Sequence, residues 1–265
     1  MPHVTVDGLP VRYREEPGPA GAPTLVLLHM AGGGSSVWGP VASRLGRRFH
    51  VVAPDFPAHG QSAPNPHLDQ QPGAITGVHP RITALARWTL QLMDALKVER
   101  AILAGHSLGG MVALSVALLA PARVAGLGLV CTSGRLRLAP GLLEAIEADF
   151  EGFARTFTAA AVPANLPTTD RTRVQPIFPQ ASKAEVLADF RAVDGLDLLP
   201  QLGGVGVPCV VVAGVQDVLT PLAHADDLCR TLKSARLVPM EGCGHLAPRE
   251  APARVAEALL ALADR

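Results

Sequence analysis

The chain has 265 residues, 48% of them hydrophobic and 17% charged, enough apolar material for one large core with a small appended lobe. Its 23 basic and 23 acidic residues cancel and never gather into runs of one sign, so neither nucleic acid nor a charged membrane surface is an expected partner. The amino terminus mixes Asp7, Gly8 and Pro10 with charges and lacks the apolar core of a signal peptide, and no uninterrupted apolar stretch reaches bilayer length. The cysteines, Cys131, Cys209, Cys229 and Cys243, show neither Cys-x-x-Cys spacing nor the density of a disulfide scaffold. A soluble cytoplasmic protein with reduced thiols is expected.

In chain order, residues 4–6 and 11–14 flank Gly8 and Pro10 as an antiparallel hairpin would, and 15–23 is a Pro/Gly-rich connector. Residues 24–28 form an apolar run without alternation, which suits a strand covered on both faces. It ends in His29-Met30-Ala31-Gly32-Gly33-Gly34-Ser35. A Gly-rich loop in that place either cradles phosphate or lets backbone N–H groups approach a reacting carbonyl. The absence of Gly-Lys-Ser/Thr and of Gly-x-Gly-x-x-Gly weakens the first reading. Residues 36–38 predict the start of a helix, 49–53 a second buried strand, and 54–62 a turn. Residues 63–80 predict a long loop, and Ile82, Leu85, Ala86, Thr89, Leu92, Met93 and Leu96 one face of a helix over 82–96.

Residues 101–104 then predict a strand and 111–119 a helix, and between them lies Gly105-His106-Ser107-Leu108-Gly109-Gly110. A serine spaced Gly-x-Ser-x-Gly at a strand-to-helix junction exposes its hydroxyl at the edge of a sheet, with the helix N-terminus aimed at a developing oxyanion. The glycines are needed where the backbone doubles back. Another strand is predicted over 124–130. The texture changes over 135–199, with helical stretches at 141–160 and 182–193, a proline-broken run at 162–179, and no buried-strand run. Strands return at 207–214 and 235–239. The first precedes Asp217, the second precedes Gly242-Cys243-Gly244-His245, and a last helix is expected over 251–264.

The serine turn resembles the nucleophile elbow of the alpha/beta-hydrolase family, and the order Ser107, Asp217, His245 is that family's order. Further similarity lies in Gly242-x-x-His245 with Glu250 following, in the His29 loop where Met30 stands in place of the usual Gly, and in the 55–62 turn where Ala58 replaces a Gly. The resemblance implies an α/β fold with a doubly wound, mostly parallel sheet. Residues 1–134 and 200–265 would form its core, and 135–199 a helical cap over the carboxyl ends of the strands. It implies catalysis by Ser107, His245 and Asp217, an oxyanion hole from the N–H groups of Leu108 and Ala31, and a structural role for His59 and Asp55.

Met30, Trp38, His106, Phe153, Phe157 and Leu219 are the expected pocket residues, with Phe150 and Phe178 as further candidates, while His3, His67, His79 and His224 read as surface residues. No metal or organic cofactor is called for, and the expected partner is a small ester-like molecule. A serine esterase, lactonase or thioesterase is the expected activity. Carbon–carbon bond hydrolysis of a diketone, cofactor-free haloperoxidase chemistry, acyl transfer and non-catalytic ligand binding on the same fold stay open, as do the substrate and the oligomeric state.

Overall fold

The computed structural model describes residues 2–166, 174, 178 and 181–263. In chain order the strands are β1 (His3–Val6), β2 (Leu9–Glu16), β3 (Thr24–Leu28), β4 (His50–Pro54), β5 (Ala101–His106), β6 (Val124–Val130), β7 (Arg135–Leu136), β8 (Leu196–Asp197), β9 (Cys209–Gly214) and β10 (Ala235–Met240). The helices are α1 (Gly39–Leu45), α2 (Pro80–Ala95), α3 (Leu108–Leu119), α4 (Leu142–Ala148), α5 (Phe150–Ala160), α6 (Lys183–Val193), α7 (Leu222–Thr231), α8 (Ala247–Glu250) and α9 (Pro252–Leu260).

Eight strands form one sheet in the order β1-β2-β4-β3-β5-β6-β9-β10. The β1–β2 and β2–β4 pairs are antiparallel and all others parallel. The chain runs outward from β3 to β4 and then returns to β5 on the other side of β3. That reversal leaves a crevice at the carboxyl ends of β3 and β5, where open α/β sheets hold ligands. Alternation along β5 divides the core between the two faces of the sheet. Ala101 and Leu103 join the cluster under α2 and α3, whereas Ile102 and Ala104 join the one under α1 and α9.

Some predicted boundaries moved for local reasons. The stretch 141–160 is not one helix: Asp149 leaves the helical region and its carboxylate accepts the Gly152 N–H at 2.9 Å, starting α5 with a side-chain cap. Residues 35–38 form a single 3-10 turn before α1. The helix expected over 251–264 spans Pro252–Leu260 and is preceded by the separate short α8; Pro252 opens α9 at a position where its missing N–H costs nothing.

The 135–199 stretch adds no strand to the main sheet among the described residues. It leaves and rejoins the core through the two-residue pair β7–β8 (Arg135 opposite Asp197, Leu136 opposite Leu196). The Leu198 N–H donates to the Gly134 carbonyl at 2.7 Å and closes that neck. The proline-broken run expected at 162–179 lies largely outside the described residues, of which Val174 and Phe178 are buried. No helix among the described residues is long and apolar enough to cross a membrane.

Candidate active site

Ser107 follows β5 directly and opens α3 with φ of 54° and ψ of −120°, a conformation that costs a non-glycine residue on the order of 1–3 kcal/mol. The neighbouring glycines make the turn possible. A Cβ on Gly105 would lie 2.1 Å from the backbone of Gly109, and one on Gly109 would lie 2.3 Å from the Leu28 carbonyl oxygen. Thr132, at the end of β6, donates its hydroxyl to the Ser107 carbonyl at 2.6 Å. Leu108 is the first residue of α3 and has no preceding helical carbonyl for its N–H. Ser107 Oγ forms no hydrogen bond of its own among the described residues, a contact that in uncomplexed enzymes often tightens only with substrate.

Asp217 and His245 come from the loops after β9 and β10, which are pressed together. The Gln216 N–H donates to the Cys243 carbonyl at 2.9 Å, and a Cβ on Gly214 would collide with the Gly244 carbonyl. His245 Nδ1–H donates to Asp217 Oδ2 at 2.8 Å, so that in the neutral ring Nε2 is the nitrogen with a free lone pair. Both side chains are buried. Asp217 also accepts the Leu219 and Thr220 N–H groups on Oδ1 at 2.8 and 2.9 Å and the Thr220 hydroxyl on Oδ2 at 2.7 Å. Burial disfavours its charge, but the His245 imidazole and the Thr220 donors overcome that and hold the carboxyl down at about 2.

The His245 loop is held from two further sides. Glu250 Oε2 accepts the Gly244 N–H at 2.8 Å, and the His245 N–H donates to the Ala161 carbonyl at 2.7 Å, just beyond α5.

The Gly-rich loop after β3 faces the serine. His29 Nδ1–H donates to the Met30 carbonyl at 2.8 Å, and its Nε2 accepts the Phe56 N–H at 2.9 Å. Burial, helped by nearby His59, pushes its pKa down to about 4, so the ring is neutral. The Gly33 N–H also donates to the Met30 carbonyl, at 3.1 Å. Because a trans peptide directs its C=O and N–H to opposite sides, pinning that carbonyl turns the Ala31 N–H away from it. The 55–62 turn braces the loop: Asp55 Oδ1 accepts the Ser35 N–H at 2.6 Å, and Asp55 Oδ2 the Gln61 N–H at 3.1 Å.

The sequence matches the alpha/beta hydrolase family over residues 25–258. The chain belongs to that family. It is 30% identical over 274 residues to the dihydrolipoyllysine-residue acetyltransferase component of the acetoin cleaving system of Pseudomonas putida, covering 97% of this chain and 67% of that protein. It is 28% identical over 219 residues to a pimeloyl-[acyl-carrier protein] methyl ester esterase of Pseudoalteromonas atlantica, with 76% and 78% covered. Its fold is similar to that of the enol-lactonase of Burkholderia xenovorans LB400, with a TM-score of 0.87, 23% identity and full coverage of both chains. The protein is a hydrolase of this fold.

A cavity of about 360 Å³ opens beside Ser107, Leu108, His245 and Ala31. Met30, Met111, Phe157, Phe190 and Leu219 make its walls apolar, and Arg137 and His224 also line it. Of the expected pocket residues, Met30, Phe157 and Leu219 line this space, while Trp38, His106 and Phe153 do not.

His106 shares the parity of Ile102 and Ala104 on β5, and its ring is buried outside the cavity lining, 6.3 Å from the Trp38 ring and 5.1 Å from the His245 ring, centroid to centroid. Its Nε2–H donates to the His245 carbonyl at 2.8 Å, and burial, reinforced by His245, pushes its pKa down to about 3. Trp38 is fully buried with α1. Phe153 sits behind Phe157 and Phe190, stacked on Phe178 at 5.9 Å, in an aromatic cluster that includes Phe150.

His224, expected at the surface, is half-buried and lines the cavity from the first turn of α7, just after the 218–221 loop that also lines it. Also missed was a buried cluster of Asp189 with Arg81 and His59. The available signal was Asp189 itself, a charge on the helix face that Val186, Phe190 and Val193 mark as apolar.

Proposed function

We propose that this hydrolase cleaves a carboxylic ester, lactone or thioester of a small, largely apolar acyl group, with Ser107 as nucleophile, His245 as general base and acid, and Asp217 as the group that orients the imidazole. The observation that carries the reading is the 2.8 Å His245–Asp217 hydrogen bond on the same cavity as a serine raised on a left-handed turn. Ser107 Oγ attacks the substrate carbonyl carbon while its proton passes to His245 Nε2. Asp217 keeps the proton on Nδ1 and stabilises the imidazolium. The carbonyl oxygen becomes an oxyanion beside the N–H groups of Leu108 and Ala31, each such donor being worth roughly 3–4 kcal/mol in the transition state.

Collapse of the tetrahedral intermediate breaks the bond to the alcohol or thiol, which leaves with the proton from His245. Water then repeats the sequence on the acyl-serine, releasing the acid and restoring the serine. Residues 135–199 act as a cap in this scheme: Phe157, Phe190 and Val193 enclose the acyl chain, and the apolar lining favours an uncharged one. The methyl ester esterase among the relatives supports an ester substrate.

The test is hydrolysis of a chain-length series of nitrophenyl esters by the natural protein and by Ser107→Ala and His245→Ala. Activity with a length optimum, lost in both variants, is the expected result. Activity retained by Ser107→Ala would remove the serine from the mechanism.

A further inference from the structure

The 135–199 stretch does more than roof the cavity, because it holds the Gly-rich loop through a carboxylate on the apolar face of α6. Asp189 on α6 is fully buried. Its Oδ2 accepts the Gly32 N–H at 2.9 Å and His59 Nε2–H at 3.0 Å, and its Oδ1 accepts Arg81 Nε–H at 3.0 Å. His59 donates its other nitrogen to the Pro57 carbonyl at 2.9 Å, so both ring nitrogens carry protons and the ring is a cation. Arg81, itself buried, also binds Asp69 at 2.7 Å and Glu185 at 2.5 Å. One carboxylate therefore joins α6 to α2, to the 55–62 turn and to the loop after β3.

The contact with Gly32 falls next to the reacting centre. Ala31 lies between two peptide planes. The preceding plane is fixed by the Met30 carbonyl, and the following one by the Gly32 N–H on Asp189. Gly32 has φ of +60°, and a Cβ there would lie 2.6 Å from Phe178 and 2.7 Å from Val186, so the loop and α6 meet with no room to spare. The next residue on α6, Phe190, lines the cavity. A single helix thus shapes the pocket with one side chain and sets the loop with the adjacent one.

We propose that Asp189 is a positioning residue for the reaction at Ser107, holding the Ala31–Gly32 peptide so that the Ala31 N–H faces the developing oxyanion only while the 135–199 stretch is seated. This rests on the reading of Ser107 as the nucleophile. Asn at 189 cannot satisfy the cluster, because one of its two sides presents N–H groups to a donor in either orientation. Glu at 189 keeps the charge that neutralises His59 and Arg81 but carries the acceptor away from Gly32.

The experiment compares the natural chain with Asp189→Asn and Asp189→Glu. It measures kcat and KM on a nitrophenyl ester, affinity for a trifluoromethyl ketone that adds reversibly to serine, and affinity for the corresponding alcohol, which forms no oxyanion. In both variants kcat and ketone affinity should fall by about 10- to 100-fold, with KM and alcohol affinity within roughly threefold of the original. Equal losses for ketone and alcohol would mean that Asp189 merely shapes the pocket, and unchanged kcat with unchanged ketone affinity would leave it no role at the reacting centre; either result overturns the proposal.

The unmodified protein gives an independent check if a variant does not fold. The Gly32 amide proton should exchange with solvent far more slowly than an open-loop amide, and exchange at the open-loop rate would overturn the hydrogen bond on which the proposal depends. A natural chain that neither hydrolyses esters nor binds the ketone would instead refute the nucleophile assignment.

Discussion

Replacing Arg81 by Met isolates what the buried carboxylate cluster contributes to stability. Arg81 is 2% exposed, and Met keeps most of its apolar stem while removing the guanidinium that binds three acids. Asp69 and Glu185 have side chains 56% and 26% exposed, so water compensates them and their pairs contribute at most about 1 kcal/mol each. Asp189 has no such recourse. With His59 and Gly32 as its remaining donors it becomes an undercompensated buried charge, and breaking a buried pair in this way costs about 3–5 kcal/mol.

The expected total is about 4 kcal/mol, read from urea denaturation at pH 7 by linear extrapolation. The penalty should shrink as pH falls from about 5 toward 3, because the stranded carboxylate can then take up a proton while the natural protein loses the benefit of its own pair. Adding Asp189→Asn should cost less in the Arg81→Met background than in the natural one, by about 2 kcal/mol. A penalty under about 1 kcal/mol, or one equal at pH 7 and pH 3, would refute a charged Asp189 in the core.

Other outcomes follow from the same geometry. Asp217 and Asp189 are both held at about 2 against an ordinary 3.8, so their contribution is complete above about pH 5 and is lost as pH falls toward 2, by about 2 kcal/mol each. Denaturation midpoints across that range test it, and a flat profile would contradict it. The His59 pKa is raised by Asp189 against the opposing effect of burial, so its contribution is complete below the unfolded imidazole value and declines as pH rises through the folded one. Asp217→Asn preserves the shape of the loop but presents the wrong tautomer to the base, and kcat should fall by about 10⁴-fold with little change in KM. Met30→Ala widens the cavity beside the serine and should lengthen the preferred acyl chain by about two carbons in the nitrophenyl ester series.

The order and setting of Ser107, Asp217 and His245 were legible because each follows an apolar strand, and a parallel sheet gathers the loops at one edge. The switch from apolar run to glycine-flanked polar residue is a local signal. Side-chain direction is less local. Ser107 and His106 are neighbours in the chain, yet Ser107 lines the cavity while the His106 ring is buried behind it, between Trp38 and the ring of His245. The break at Asp149 was hidden because an acidic residue in an amphipathic helix and one capping the next helix look the same until the backbone leaves the helical region. Asp189 is separated from Gly32 by 157 residues, from His59 by 130 and from Arg81 by 108. No spacing rule joins them, and only the seating of α6 against the loop after β3 brings the charges together.

Intact-mass analysis after treatment with a fluorophosphonate, followed by peptide mapping, tests the assignment of the nucleophile most directly. One adduct per chain on Ser107, abolished in Ser107→Ala and slowed by orders of magnitude in His245→Ala, is the expected result. An adduct on another residue, or none on the natural protein, would contradict it.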